Sequence, residues 1–95
     1  MREKQKEVDA WISEHGGYWP PLSMLARLME EVGEFSREVN IVYGMKKRKP
    51  EEKIKQIEDE MGDVLFNLIC FANYLEIDLD KVFSDTMEKV QGKRE

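Results

Sequence analysis

Glu31 and Glu34 stand three residues apart in one stretch of the chain, and Glu60 and Asp63 stand three apart in another. On an α-helix, residues at that spacing leave the same patch of surface. Each pair would present two carboxylates to one side of its helix, where like charges repel weakly. Four carboxylates that converge without basic partners are not stable as such, and one or two divalent cations would neutralise them. Ligands that are all oxygen favour Mg²⁺ or Mn²⁺ over zinc. Mg²⁺ bound this way keeps waters and takes phosphate oxygens as further ligands, so a phosphate ester or anhydride is the expected substrate. The competing reading is that Arg27, Arg37 and Lys53 neutralise the four acids in salt bridges.

Convergence requires two helices packed antiparallel. On a wheel of about 100° per residue, Met24, Leu25, Leu28, Met29, Val32, Phe35 and Val39 fall within an arc of roughly 140°, a core face. Glu30, Glu31, Glu34 and Glu38 lie opposite, with Glu31 nearest the apolar boundary. In the second stretch, Lys53, Gln56, Glu60, Asp63 and Asn67 form one polar stripe. Asp63 is the sole charged residue between Met61 and Leu75. Apolar side chains surround it nearly all round the wheel, which predicts burial on most sides. Counted from Lys47, Glu31 and Glu34 are 16 and 13 residues back, and Glu60 and Asp63 are 13 and 16 forward. The levels match, so Glu34 should face Glu60 and Glu31 should face Asp63. Antiparallel helices pack about 8–10 Å apart, within reach of a shared point.

The rest of the chain supplies two more helices. The first is expected over about Arg2 to Ser13, stopped by Gly16-Gly17. The second starts at Pro20 or Pro21, where proline suits the first turn, and ends near Tyr43 with Gly44 as its stop. The basic loop Lys46 to Lys49 follows, able to steer an anion or merely to stay solvated. Pro50 opens the third helix, with Glu51 and Glu52 in its first turn, and it runs to about Leu75. Asp78 can cap the fourth, which carries Leu79, Val82, Phe83, Met87 and Val90 on one face. The fold class is all-α: one domain over 1–95, a four-helix bundle-like protomer with two long antiparallel helices. Phe66, Ile69 and Cys70 point away from the main apolar arc, so a homodimer or homotetramer should complete the core.

Composition narrows the partners. The 95 residues carry 20 acids and 15 bases, and the four paired acids account for most of the net charge of −5. That balance argues against a nucleic-acid polymer as ligand. One cysteine, Cys70, excludes an internal disulfide and a cysteine-based zinc cluster, and its apolar neighbours make it a buried thiol. No run is long enough to span a bilayer, and no apolar segment follows the charged N-terminus, so a cytoplasmic protein is expected.

The segment Glu30-Glu31-x-x-Glu34, followed after 25 residues by Glu60-x-x-Asp63, resembles the E-E-x-x-E…E-x-x-D signature of the MazG-like nucleotide pyrophosphohydrolases. Pro21-Leu22-Ser23-Met24-Leu25-Ala26-Arg27-Leu28 before it and Glu60-Met61-Gly62-Asp63-Val64-Leu65-Phe66 at its second half are similar too. The resemblance covers roughly Tyr18 to Lys89. It implies an all-α, oligomeric, Mg²⁺-dependent enzyme that cleaves nucleoside triphosphates, often non-standard ones, to monophosphate and pyrophosphate. Carried over by position, Glu31, Glu34, Glu60 and Asp63 are metal ligands, and Glu30 or Glu34 takes the proton of the attacking water. Asn67 would line the pocket. His15, Tyr18 and Trp19 occupy the region where relatives hold the base. Lys89, Lys93 and Arg94 are candidates for phosphate contacts, as is Lys53 on the polar stripe.

Two other functions fit parts of the pattern. A non-catalytic helical oligomerisation module would show the same apolar surplus, but would not need a lone aspartate inside it. A phosphoribosyl-ATP pyrophosphohydrolase-type enzyme would share the architecture and differ in substrate.

Overall fold

A computed structural model describes residues 1–44 and 55–92, together with the backbone but not the side chains of 50–54. All regular structure among the described residues is helical: α1 (Arg2–Glu14), α2 (Pro21–Tyr43), α3 (Pro50–Tyr74) and α4 (Leu79–Gly92). The four expected helices are all present, with ends within a residue or so of the expected ones. The contacts group into two compact units. One comprises Met1–Tyr18 with Ile69–Glu95, and the other Trp19–Leu68, so α3 contributes to both.

In the first unit the helix ends are set by local chemistry. Beyond α1 the Gly17 amide donates to the Ile12 carbonyl at 2.9 Å, with Gly16 at φ 101°. This is the left-handed stop that glycine enters without a Cβ clash. The end of α3 uses the same turn without glycine. Ile77 donates to Ala72 at 2.8 Å and Glu76 to Asn73 at 3.1 Å, with Glu76 itself at φ 57°. Asp78 caps α4 as expected, its Oδ1 accepting the Asp80 amide at 3.0 Å.

Gln5, buried on α1, ties these ends together. Its side-chain amide donates to Asn73 Oδ1 at 3.1 Å and to the Ile77 carbonyl at 2.8 Å. Its Oε1 accepts the Leu79 amide at 3.0 Å, and its backbone carbonyl accepts from Asn73 Nδ2 at 2.9 Å. One glutamine thus satisfies a carbonyl past α3 and an amide at the start of α4, groups left without partners inside their own helices. Cys70 is buried with Ile69 and Ala72, and burial pushes its thiol pKa up.

In the second unit α2 runs antiparallel to the first part of α3. Pro21 occupies the first helical position, and Ser23 and Met24 both donate to the Pro20 carbonyl at 3.0 Å. Gly44 follows α2 in a conformation that admits no side chain, since a Cβ there would run into the Asn40 carbonyl oxygen.

Two expectations about burial need correction. Ile69 and Cys70 are buried within the chain, so they are not free to form an intersubunit face. Nor is the second half of α3 covered on most sides: Leu65, Phe66 and Leu68 are 40–48 % exposed and Asp63 is exposed. The helical wheel reports which side chains are apolar, and one short chain has too little surface to cover them all. The same holds for α4, where no residue is buried.

Candidate active site

Within the second unit, the matched levels of α2 and α3 bring three carboxylates together. One oxygen each from Glu31, Glu60 and Asp63 lies within 4.8 Å of the others. Glu31 is 6 % exposed, Glu60 half-buried and Asp63 open to solvent. The cluster is therefore buried at α2 and open to solvent at α3. Two ligand oxygens on opposite sides of one Mg²⁺ are about 4.2 Å apart, so these three could take one ion with small side-chain rotations. The all-oxygen donor set suits a hard divalent cation.

Electrostatics mark the same place. Burial holds the Glu60 carboxyl above its ordinary pKa, and the charges of Asp63, Glu31, Glu34 and Glu38 push it the same way. Among the described residues neither Glu60 nor Asp63 forms a side-chain ion pair. The basic residues are only partly used as the competing reading required. Arg27 lies 3.0 Å from Glu31 and 3.5 Å from Glu30. Arg37 lies 3.1 Å from Glu38, outside the predicted quartet. The side chain of Lys53 falls outside the described residues.

Glu34 is exposed on α2 and is not one of the three converging residues, although its charge reaches Glu60. Glu30 is exposed beside Arg27. Asn67, one turn beyond Asp63, donates its amide to the Asp63 carbonyl at 2.8 Å, bracing the helix under that carboxylate. Trp19 is 61 % exposed.

His15, Tyr18 and Lys89 belong to the other unit. The His15 ring stacks on Trp11, with centroids 3.9 Å apart and planes 14° apart, and its Nδ1 is 2.7 Å from the Trp11 carbonyl. The Tyr18 hydroxyl donates to Asp9 at 2.6 Å; burial, then that bond, pushes its pKa up to about 12. These contacts give both rings structural work. Lys89 is exposed on α4. Lys46 to Lys49, Lys93 and Arg94 lie outside the described residues.

The sequence puts Glu38 on the acidic face of α2 but marks no role for it at the site. It is buried, seven residues beyond Glu31, and contributes to the field at Glu60. Two helical turns after a site acid was the available signal.

The model of the MazG nucleotide pyrophosphohydrolase domain matches residues 20–95. The chain is 49% identical over 90 residues to YpjD of Bacillus subtilis (strain 168), a protein described as uncharacterized, covering 94% of this chain and 81% of that one. It is similar to the crystal structure of the Bacillus-conserved MazG protein, a nucleotide pyrophosphohydrolase. Identity there is 48%, the TM-score is 0.81, and 94% of this chain and 86% of the other are covered. The crystal structure of Bacillus subtilis YpjD gives 48% identity and a TM-score of 0.83 over 93% and 91% of the two chains.

Proposed function

The chain belongs to the MazG nucleotide pyrophosphohydrolase family, and from that premise we propose that it hydrolyses nucleoside triphosphates to monophosphate and pyrophosphate, with Mg²⁺ as its cation and Mn²⁺ as a substitute. The chain is a hydrolase acting on phosphoric anhydrides. The observation that carries the finer reading is the convergence of Glu31, Glu60 and Asp63 within 4.8 Å.

Glu31, Glu60 and Asp63 hold the cation, with Glu34 beside them on the exposed face of α2. A bound divalent cation supplies charge to offset a polyphosphate and acidifies water. Glu30 or Glu34, both exposed, accepts the proton as water attacks phosphorus. A new P–O bond forms to the water oxygen, the anhydride bond breaks, and pyrophosphate leaves. Asn67 keeps the Asp63 turn in place, and Trp19 offers an open aromatic face to a base. Clearance of non-standard nucleotides in the cytoplasm is the role this chemistry serves best.

Exposed Leu65, Phe66 and Leu68 on α3 support a homodimer or homotetramer. Light scattering after size exclusion should give a mass of two or four chains. No helix among the described residues is long and apolar enough to cross a membrane.

The test is product analysis over a panel of canonical and modified (d)NTPs with Mg²⁺ or Mn²⁺. The reading expects pyrophosphate and monophosphate in equal amounts from at least one of them. A chain that self-associates but releases no pyrophosphate under any condition is a non-catalytic helical module instead. Turnover confined to phosphoribosyl-ATP would assign the related activity.

A further inference from the structure

Arg27 shares a carboxylate with the candidate metal centre. Its Nη2 lies 3.0 Å from Glu31 Oε1 and its Nη1 3.5 Å from Glu30 Oε2, so one guanidinium bridges two acids of the motif. The two ends of this bridge sit in different surroundings. The Glu31 side chain is 7% exposed, whereas the Arg27 side chain is 50% exposed. A long cationic side chain with an exposed head can leave its partner at little cost. Glu31 is buried and has less room to move. It is also one of the three acids that converge within 4.8 Å.

A cation among these acids and the Arg27 guanidinium therefore draw on the same Glu31 charge. With the cation in place, Arg27 loses most of its attraction to Glu31 and gains a positive neighbour. The guanidinium then keeps only the exposed Glu30 as a partner, at 3.5 Å, and lies four residues N-terminal to Glu31 on the same helix. Its planar fork matches phosphate oxygens in pairs, which an ammonium would not.

We propose that Arg27 is the internal counter-ion of the metal-free site, which yields Glu31 to the divalent cation and turns its guanidinium to the substrate's phosphates. This rests on the reading of Glu31, Glu60 and Asp63 as the metal site. It adds a substrate-binding role for a residue outside the acidic motif, and it orders the events: Arg27 restrains metal binding in the absence of nucleotide and favours anion binding once metal is present.

The experiment compares wild type, Arg27→Gln and Arg27→Lys by calorimetry, with circular dichroism checking helicity. Mn²⁺ alone is titrated first, then pyrophosphate into Mn²⁺-saturated protein. Arg27→Gln should bind Mn²⁺ up to about fivefold more tightly, the upper range for an ion pair with a solvent-exposed partner. The same variant should bind pyrophosphate about tenfold more weakly, the loss of a charge-assisted contact. Arg27→Lys should keep near-wild-type Mn²⁺ affinity yet bind pyrophosphate more weakly. Equal or weaker Mn²⁺ binding by Arg27→Gln would overturn the proposal, because Arg27 would then only hold Glu31 in place. Unchanged pyrophosphate affinity in both variants would overturn it as well. A flat Mn²⁺ titration of wild type would contradict the metal site itself, and the Arg27 role with it.

Discussion

Asp63→Asn separates the stability of this chain from its chemistry, because the carboxylate is unfavourable until a cation arrives. Asp63 has no ion-pair partner among the described residues, and its oxygen lies within 4.8 Å of oxygens from Glu31 and Glu60. Two unit charges 4.8 Å apart repel by about 0.9 kcal/mol in water and about 3.5 kcal/mol at an effective dielectric of about 20. Asp63 is exposed, so the lower figure applies, and salt reduces it further. Arg27 offsets part of the Glu31 charge, so Asp63→Asn should stabilise the metal-free protein by at most about 1 kcal/mol, which for a domain this small is at most about 4–8 °C in Tm. The metal arm runs the other way. Mn²⁺ at a hundredfold excess over Kd stabilises wild type by about 2.7 kcal/mol by mass action, and the variant should lose nearly all of that shift. The assay is thermal unfolding followed by circular dichroism, with EDTA and with Mn²⁺. An Asp63→Asn protein that melts lower than wild type in EDTA, or keeps the full Mn²⁺ shift, would refute the reasoning.

Three further outcomes follow from particular contacts. Glu60 is held above the ordinary glutamate pKa by burial and then by its acidic neighbours, so its ionisation is a cost to the fold. In EDTA, its contribution is most favourable below the ordinary glutamate pKa and is lost as pH rises through the raised one. Urea melts of wild type against Glu60→Gln across this range should therefore diverge with rising pH in favour of the variant, and excess Mn²⁺ should reverse the order, because wild type alone keeps all three carboxylates. Gln5→Ala removes three side-chain hydrogen bonds, to Asn73, Ile77 and Leu79, and should cost about 3 kcal/mol in urea melts at about 1 kcal/mol each. A loss under about 1 kcal/mol would mean that water replaces the glutamine. Glu76 sits at φ 57°, so Glu76→Gly should raise stability by up to about 1 kcal/mol, and a fall in Tm would show that its side chain contributes more than the turn costs.

The long-range geometry was legible where it followed from counting. Helix period and one short connection suffice to bring Glu31 level with Asp63, and the structure places those residues with Glu60. Glycine and proline marked the ends of α1 and α2 because their backbone chemistry is local. Glu76 shows the limit: the turn after α3 is the one Gly16 makes, but nothing in a glutamate announces a left-handed backbone. Gln5 was invisible for a different reason. Its partners lie 68 to 74 residues away, and no local pattern encodes which polar side chain meets which helix end. Arg27 was named as one of several cations able to offset the acids. Its pairing with Glu31 is the i,i+4 contact that helix spacing allows, but which of the two is buried is not given by spacing. The exposed Leu65, Phe66 and Leu68 were read correctly as apolar, but apolar character does not say whether the covering surface comes from the same chain.

Anomalous scattering from crystals soaked in Mn²⁺ would show whether Glu31, Glu60 and Asp63 hold the cation of the proposed reaction. A peak is expected among these three carboxylates, strengthened by nucleotide and absent from Asp63→Asn crystals. Mn²⁺ bound only elsewhere, in crystals of a protein that still releases pyrophosphate, would contradict it.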